Sequence, residues 1–264
     1  MRIRTSYALA ASIAAVATIG CSSQSVSAGT SGDARLRARP GEVTSPARTT
    51  GIQKLNISTL RDGVLYVPRN VKTPAPLLLM LHGSGASGEA ILHRVQPLAD
   101  AVGAIVVAPD AREYTWDAAL GTVRADGAAL SRMGSDVAYI DKALSLVFSR
   151  YAIDRHRIAI GGFSDGASYA LSLGLTNGDL FSHVIAFSPG FVRLKSTTGE
   201  PRVFLSHGRS DQVLPIEKCG RPIAAALTRS GYDVEYIEFD GQHTVPQVIA
   251  ERALVSWFAG PGAG

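Results

Sequence analysis

The feature that most limits what this chain can fold into is a series of short apolar runs that do not alternate with polar residues. Leu77–Leu81 (LLLML) and Ala104–Ala108 (AIVVA) are apolar throughout, and Arg157–Ile160, Val184–Phe187 and Val203–Ser206 are nearly so. A strand with one wet face alternates, whereas a continuous run fits a strand covered on both faces. Helical periodicity fills the gaps. Gly88–Val102 sets Ile91, Leu92, Val95, Leu98 and Ala99 on one face, and Asp136–Tyr151 does the same with Val137, Ile140, Leu144, Val147 and Phe148. Asp136 can cap the start of the second helix. Ala167–Leu175, Glu217–Ser230 and Pro246–Phe258 read as further helices, the last with proline in its first turn. Val234–Phe239 is a last strand, and Gln53–Ile57 and Val64–Pro68, with Asp62-Gly63 between them, look like an N-terminal hairpin. Strand and helix in repetition predict an α/β fold, a mostly parallel sheet with helices on both faces. No internal repeat or second linker divides residues 51–264, which read as one domain with no separate lid.

The N-terminal part has a different character. Of 264 residues 46% are hydrophobic, which excludes a disordered chain, and the formal charge is +4. Residues 1–50 carry six arginines against Asp33 and Glu42, a net of 6 − 2 = +4, so the remainder is neutral. The basic balance therefore belongs to the tail and gives no reason to expect a nucleic-acid partner. Arg2 and Arg4 precede an uncharged stretch whose Leu9–Gly20 portion is apolar or small, a signal-peptide pattern too short to span a membrane. Thr18-Ile19-Gly20-Cys21 resembles a bacterial lipobox, in which Cys21 becomes the lipid-modified first residue, although Thr18 stands where leucine is usual. Val26-Ser27-Ala28 offers ordinary cleavage and free secretion instead. Residues 1–20 are thus expected to be a signal peptide of the lipoprotein type, and residues 21–50 a flexible tether rich in small residues. Both readings send the chain out of the cytoplasm, with membrane anchoring through Cys21 the first of them. The only other cysteine, Cys219, is too distant to suggest a disulfide framework or metal signature, and reads as a small buried hydrophobe.

The chemistry concentrates in Gly161-Gly162-Phe163-Ser164-Asp165-Gly166-Ala167. Small residues two before and two after Ser164 let a strand turn abruptly into a helix, which holds the hydroxyl clear of the sheet. A serine hydroxyl needs a base to take its proton. Of six histidines, His243 lies in a loop between the last strand and the last helix, at the sheet edge expected for Ser164. His93 falls within a helix, and His156 and His183 near strand starts, at the wrong edge. An orienting carboxylate should come from Asp211, after the strand Val203–Ser206, with Asp240 as the rival. Two backbone N–H groups are wanted for an oxyanion: that of Asp165, and one from His82-Gly83-Ser84-Gly85, for which Ser84 is the choice. His82, Gly83 and Trp116 are candidate substrate-binding positions, Trp116 as a pocket wall. No pair of histidines at helical ligand spacing suggests a metal.

Together, LLLMLHGSG, GGFSDGA, SHGRSDQVLP and FDGQHTVP resemble the α/β-hydrolase superfamily, in which a triad occurs in the order serine, aspartate, histidine. More narrowly, the chain is similar to the phospholipase/carboxylesterase and dienelactone-hydrolase branch, with a likeness to secreted polyhydroxybutyrate depolymerases and feruloyl esterases. The likeness spans about residues 60–260. Gln242 departs from it, since that branch usually has glycine there. The resemblance implies a serine ester hydrolase without a cofactor, acting on a small-molecule or polymeric ester; the short connections, with no inserted lid segment, favour short or accessible esters over long-chain triglycerides, and the natural substrate and oligomeric state stay open. The same residues fit a thioesterase, lactonase or peptidase, or a non-catalytic envelope-anchored binding module on a hydrolase scaffold.

Overall fold

The computed structural model describes residues 19–20, 34–120, 122–123, 129–130 and 133–258. Among the described residues, twelve strands and five helices follow in chain order. They are β1 Ile19–Gly20, β2 Gly51–Lys54, β3 Gly63–Val67, β4 Ala75–Leu81, α1 Gly88–Val102, β5 Ile105–Pro109, β6 Thr122–Val123, β7 Ala129–Leu130 and α2 Ser135–Arg150. Then come β8 Ile153–Phe163, α3 Asp165–Thr176, β9 His183–Phe187, β10 Phe191–Val192, β11 Arg202–Gly208, α4 Gly220–Arg229, β12 Val234–Phe239 and α5 Gln247–Phe258. Eight strands form one sheet in the order β12-β11-β9-β8-β4-β5-β3-β2. The six from β12 to β5 run parallel, and β3 and β2 add an antiparallel end. Ladders β1–β10 and β6–β7 lie apart from this sheet.

The continuous runs are buried on both faces, as their composition requires. Every residue of β4, β5 and β9 is buried. On one face the core includes Val137, Ile140, Leu144 and Val147 of α2, Leu171 and Leu175 of α3, and Ile223 and Leu227 of α4. On the other lie Ile91, Leu92 and Val95 of α1 with Ile249, Leu254 and Trp257 of α5. From β4 the chain crosses to β5 on one side, while from β8, on the other side of β4, it crosses to β9. A crevice therefore opens beyond the carboxyl ends of β4 and β8, where ligands bind in open α/β sheets.

Three expectations are corrected. The hairpin is not tight: β2 stops at Lys54, because the Asp62 carboxylate accepts N–H bonds from Asn56, Ile57 and Ser58 and rounds residues 55–62 into a loop. Cys219, buried just before α4, is disulfide-bonded and not a free hydrophobe. The expected tether over residues 21–50 is not what residues 34–47 form, while residues 21–33, with Cys21, lie outside the described residues. Residues 34–47 form a strap across α2 and the end of α3. Leu36 is buried, its N–H donates to Asn177 Oδ1 at 2.8 Å, and Asn177 Nδ2 donates back to the Ala34 carbonyl at 2.9 Å. Asp141 accepts from the N–H groups of Arg37 and Ala38, and Arg35 and Arg39 clasp Asp179. The strap has no periodicity because partners from distant elements satisfy its backbone.

At the far edge, β12 pairs among the described residues with β11 alone. Its Glu238 pairs with Arg221 and Arg209, and its Glu235 with Arg252.

Asn177→Ala should remove both strap bonds and lower unfolding free energy by about 1–3 kcal/mol, readable as a fall in Tm. The Arg35 guanidinium, more than any other group, holds the Asp179 carboxyl well below the usual carboxylate range. Its folded pKa is depressed, so its stabilisation is complete above the ordinary aspartate range and is lost as pH falls below it. Asp179→Asn should therefore flatten the acid limb of the stability curve measured by denaturant titration.

Candidate active site

The strand β8 becomes α3 through Ser164, whose backbone sits at φ 58°, ψ −122°. That left-handed conformation is strained for a residue with a side chain and persists only where its surroundings enforce it. Two glycines make the turn possible. A Cβ on Gly162 would lie 2.3 Å from the Gly166 backbone, and one on Gly166 would lie 2.4 Å from the Leu81 carbonyl oxygen and 2.5 Å from that of His82. The serine N–H is anchored on the Phe187 carbonyl at 2.9 Å.

The three residues expected to act together do meet. Ser164 Oγ is 2.9 Å from His243 Nε2, and His243 Nδ1 is 2.7 Å from Asp211 Oδ2. The Asp211 side chain is fully buried, whereas His243 keeps 15% exposure. Asp211 Oδ1 accepts the N–H groups of Val213 and Leu214 at 2.9 and 2.8 Å, which leaves Oδ2 facing the imidazole. The rival, Asp240, is 91% exposed and bound to Arg209.

Sequence reasoning missed a second imidazole at this carboxylate. His207 Nε2 is 2.7 Å from the Leu214 carbonyl and 3.2 Å from Asp211 Oδ2. A carbonyl only accepts, so Nε2 carries the hydrogen. Its Nδ1 is buried without a hydrogen-bond partner, against Gly220, where a Cβ would approach to 2.6 Å. Burial pushes the His207 pKa down. The residue thus braces the Asp211 loop as a neutral ring. Its place in SHGRSDQVLP, at a strand end, was the available signal. Phe163 was also missed. Its ring lies 4.7 Å from that of His243.

The β4–α1 loop lies beside this centre. A Cβ on Gly83 would come within 3.4 Å of Ser164 Cβ, so Gly83 lies beside the nucleophile. The Gly85 and Ala86 N–H groups donate to the Tyr114 and Gly83 carbonyls, and neither of these bonds uses the N–H of exposed Ser84. Asp165 is the first residue of α3, so its N–H has no acceptor within the helix. Its carboxylate accepts the Thr115 hydroxyl at 2.8 Å.

His82 and Trp116 are corrected. Both side chains are fully buried, so neither presents a surface as a pocket wall would. His82 Nδ1 donates to the Gly83 carbonyl and its Nε2 accepts the Ala111 N–H, which fixes the tautomer; burial pushes its pKa down. Trp116 Nε1 donates to the His82 carbonyl at 2.8 Å, and its ring packs between His82 and Tyr169. These residues hold the loop that holds Ser84.

Residues 128–254, which include Ser164, Asp211 and His243, match the family model described as phospholipase/carboxylesterase. Among solved structures the chain is similar to esterase PE8, with 22% identity and a TM-score of 0.59 over 74% of this chain and 96% of that one. It is similar to a ferulic acid esterase from Anaeromyces mucronatus, solved with ferulic acid, with 18% identity and a TM-score of 0.55 over 84% and 96%. A Bacillus cereus carboxylesterase shares 19% identity with a TM-score of 0.52 over 73% and 92%. No curated protein sequence matches the chain.

Gly166→Ala should prevent the turn from closing, since carbonyl oxygens and not flexible side-chain ends block the added methyl. Loss of about 3 kcal/mol or more is expected in thermal or chemical denaturation.

Proposed function

We propose that the chain is a hydrolase of the phospholipase/carboxylesterase branch, whose family model matches residues 128–254, and that it cleaves carboxylic esters through a Ser164–His243–Asp211 triad. The observation that carries this reading is the unbroken chain of contacts from Ser164 Oγ through His243 to Asp211, at 2.9 and 2.7 Å. His243 Nε2 accepts the serine proton as Oγ attacks the ester carbonyl, and Nδ1–H donates to Asp211 Oδ2 throughout. The carboxylate fixes the tautomer and stabilises the imidazolium that forms. The N–H groups of Ser84 and Asp165 take the developing oxyanion, with the positive end of α3 behind the second. The imidazolium then protonates the departing alkoxide, leaving an acyl group on Ser164. In the second half His243 takes a proton from water, the hydroxide adds to the acyl carbon, and the serine leaves with the proton returned.

Ser164→Ala should abolish turnover of a p-nitrophenyl short-chain ester while leaving the melting curve within a few degrees of wild type. Retained turnover refutes the assignment. Asp211→Asn should cost on the order of 10⁴ in kcat, because the amide presents the wrong partner to Nδ1. A fluorophosphonate probe should label Ser164; an unlabelled protein favours a binding module instead.

Export is proposed on the N-terminal pattern, supported by the disulfide at Cys219, since disulfides persist in oxidising compartments. The chain has two cysteines, so a lipid on the Cys21 thiol and an intrachain disulfide at Cys219 exclude one another. Mass spectrometry of the mature protein should find residues 1–20 removed. An N-terminus at Met1 overturns export, and a thioether-linked lipid at Cys21 identifies the anchored form.

A further inference from the structure

His207 lies one residue from the end of β11, its side chain fully buried against that of Asp211, and the mechanism above gives it no task. Its Nε2–H is shared between two oxygens, the Leu214 carbonyl at 2.7 Å and Asp211 Oδ2 at 3.2 Å. Leu214 is held at both ends of its backbone, since its N–H donates to Asp211 Oδ1 at 2.8 Å. Imidazole, backbone and carboxylate thus close a ring. With the Val213 N–H on Oδ1 and His243 Nδ1 on Oδ2, four donors face Asp211. A carboxylate has about four acceptor sites, so its capacity is filled.

The opposite side of the His207 ring is closed. Nδ1 has no hydrogen-bond partner among the described residues, and the Gly220 backbone seats so tightly against it that a Cβ there would lie 2.6 Å away. Gly220 is the first residue of α4, so the ring meets the positive end of that helix. A proton on Nδ1 would find no acceptor and an unfavourable field. The titratable groups facing the ring are Asp211 from the loop after β11 and His243 from the loop after β12. From α4 it meets Gly220, beside the disulfide-bonded Cys219, which does not titrate. Burial adds to the cost of a charge and pushes the ring's pKa down. His207 is therefore a permanently neutral donor, whereas a general base must gain and lose a proton in each turnover.

Two imidazoles draw on one oxygen, and what one takes the other does without. We propose that His207 is a positioning residue which, by occupying part of Asp211 Oδ2, sets how strongly that carboxylate holds a proton on His243. This rests on the triad reading and deepens it by assigning control of the base to a residue outside the triad. The sign follows from charge. A carboxylate with fewer donors concentrates its negative charge on those that remain, and stabilises the imidazolium more. Loss of the His207 donor keeps His243 protonated to higher pH, and withholds the base from Ser164 in a range where the wild type works.

The test measures kcat and KM for a p-nitrophenyl short-chain ester across pH for wild type, His207→Phe and His207→Gln. Each is normalised to the fraction labelled by a fluorophosphonate, and a melting curve accompanies each protein. His207→Phe keeps a ring against Gly220 and removes the N–H. The acid limb of its kcat/KM profile should move up by about half a pH unit or more. Its plateau kcat should fall about tenfold, with KM within about twofold. His207→Gln supplies an N–H again and should return the limb to its wild-type position. An unmoved or lowered limb in folded, labelled His207→Phe overturns the proposal whatever its Tm, because packing alone would change stability and not the limb. An equal shift in both variants overturns it as well. If His207→Phe does not fold, nitrogen-15 spectra of the wild-type histidines decide. They must show His207 neutral with its hydrogen on Nε2, and an Nε2 signal that responds as His243 titrates. A hydrogen on Nδ1, or an unresponsive signal, overturns the proposal. A folded wild type without labelling or turnover overturns the triad reading instead, a result distinct from an unmoved limb.

Discussion

The site depends on a backbone-to-backbone contact that only glycine permits. Gly166 at the start of α3 rests against the carbonyl oxygens of Leu81 and His82 at the end of β4. That contact sets the distance between the nucleophile turn and the loop that carries Ser84. Gly162 does the same within the turn itself. From there the constraint spreads outward. Trp116 clamps the His82 carbonyl, His82 clips residues 110–111, and Thr115 ties the same loop to the Asp165 carboxylate. Ser164 is consequently gripped from its own strand, from β4 and from the β5 loop, and a strained φ of 58° can be maintained there.

A second centre of constraint is the Asp211 carboxylate. One oxygen is consumed by the Val213 and Leu214 N–H groups, so the side chain cannot turn away from His243. His207 approaches the other oxygen while holding the Leu214 carbonyl. Loop, carboxylate and two imidazoles form one hydrogen-bonded unit, seated on the end of β11.

What could be read from the sequence was whatever local spacing determines. Runs such as Leu77–Leu81 announced a doubly covered sheet, and Gly162-x-Ser164-x-Gly166 between strand and helix announced the turn. Asp211 and His243 followed from their places after strands. The choice against Asp240 could be argued but needed geometry, since it turns on which carboxylate is buried. The failures share a different cause. Trp116 and His82 looked like pocket residues because they sit at strand ends, yet their side chains point into the core and work by holding carbonyls. The strap was taken for a tether because its order comes from Asn177, Asp141 and Asp179, more than a hundred residues away along the chain. Cys219 gave no local sign of its bond. Spacing along a chain carries no record of such distant partners.

The β12 margin has a bearing on the protein in company. A strand at the edge of a sheet offers its outward amide and carbonyl row to any other chain that arrives extended. Here the row is flanked by Glu235 and Glu238, each already committed to arginines from α4, α5 or the β11 loop. A stacking neighbour must disturb those pairs or lie alongside two carboxylates. The Arg221 guanidinium holds the Glu238 pKa down at about 2, so that carboxylate stays charged across nearly the whole range of acidity that a cell or its surroundings presents. Solubility at this margin is thereby built from the same arginines that fasten the neighbouring helices down.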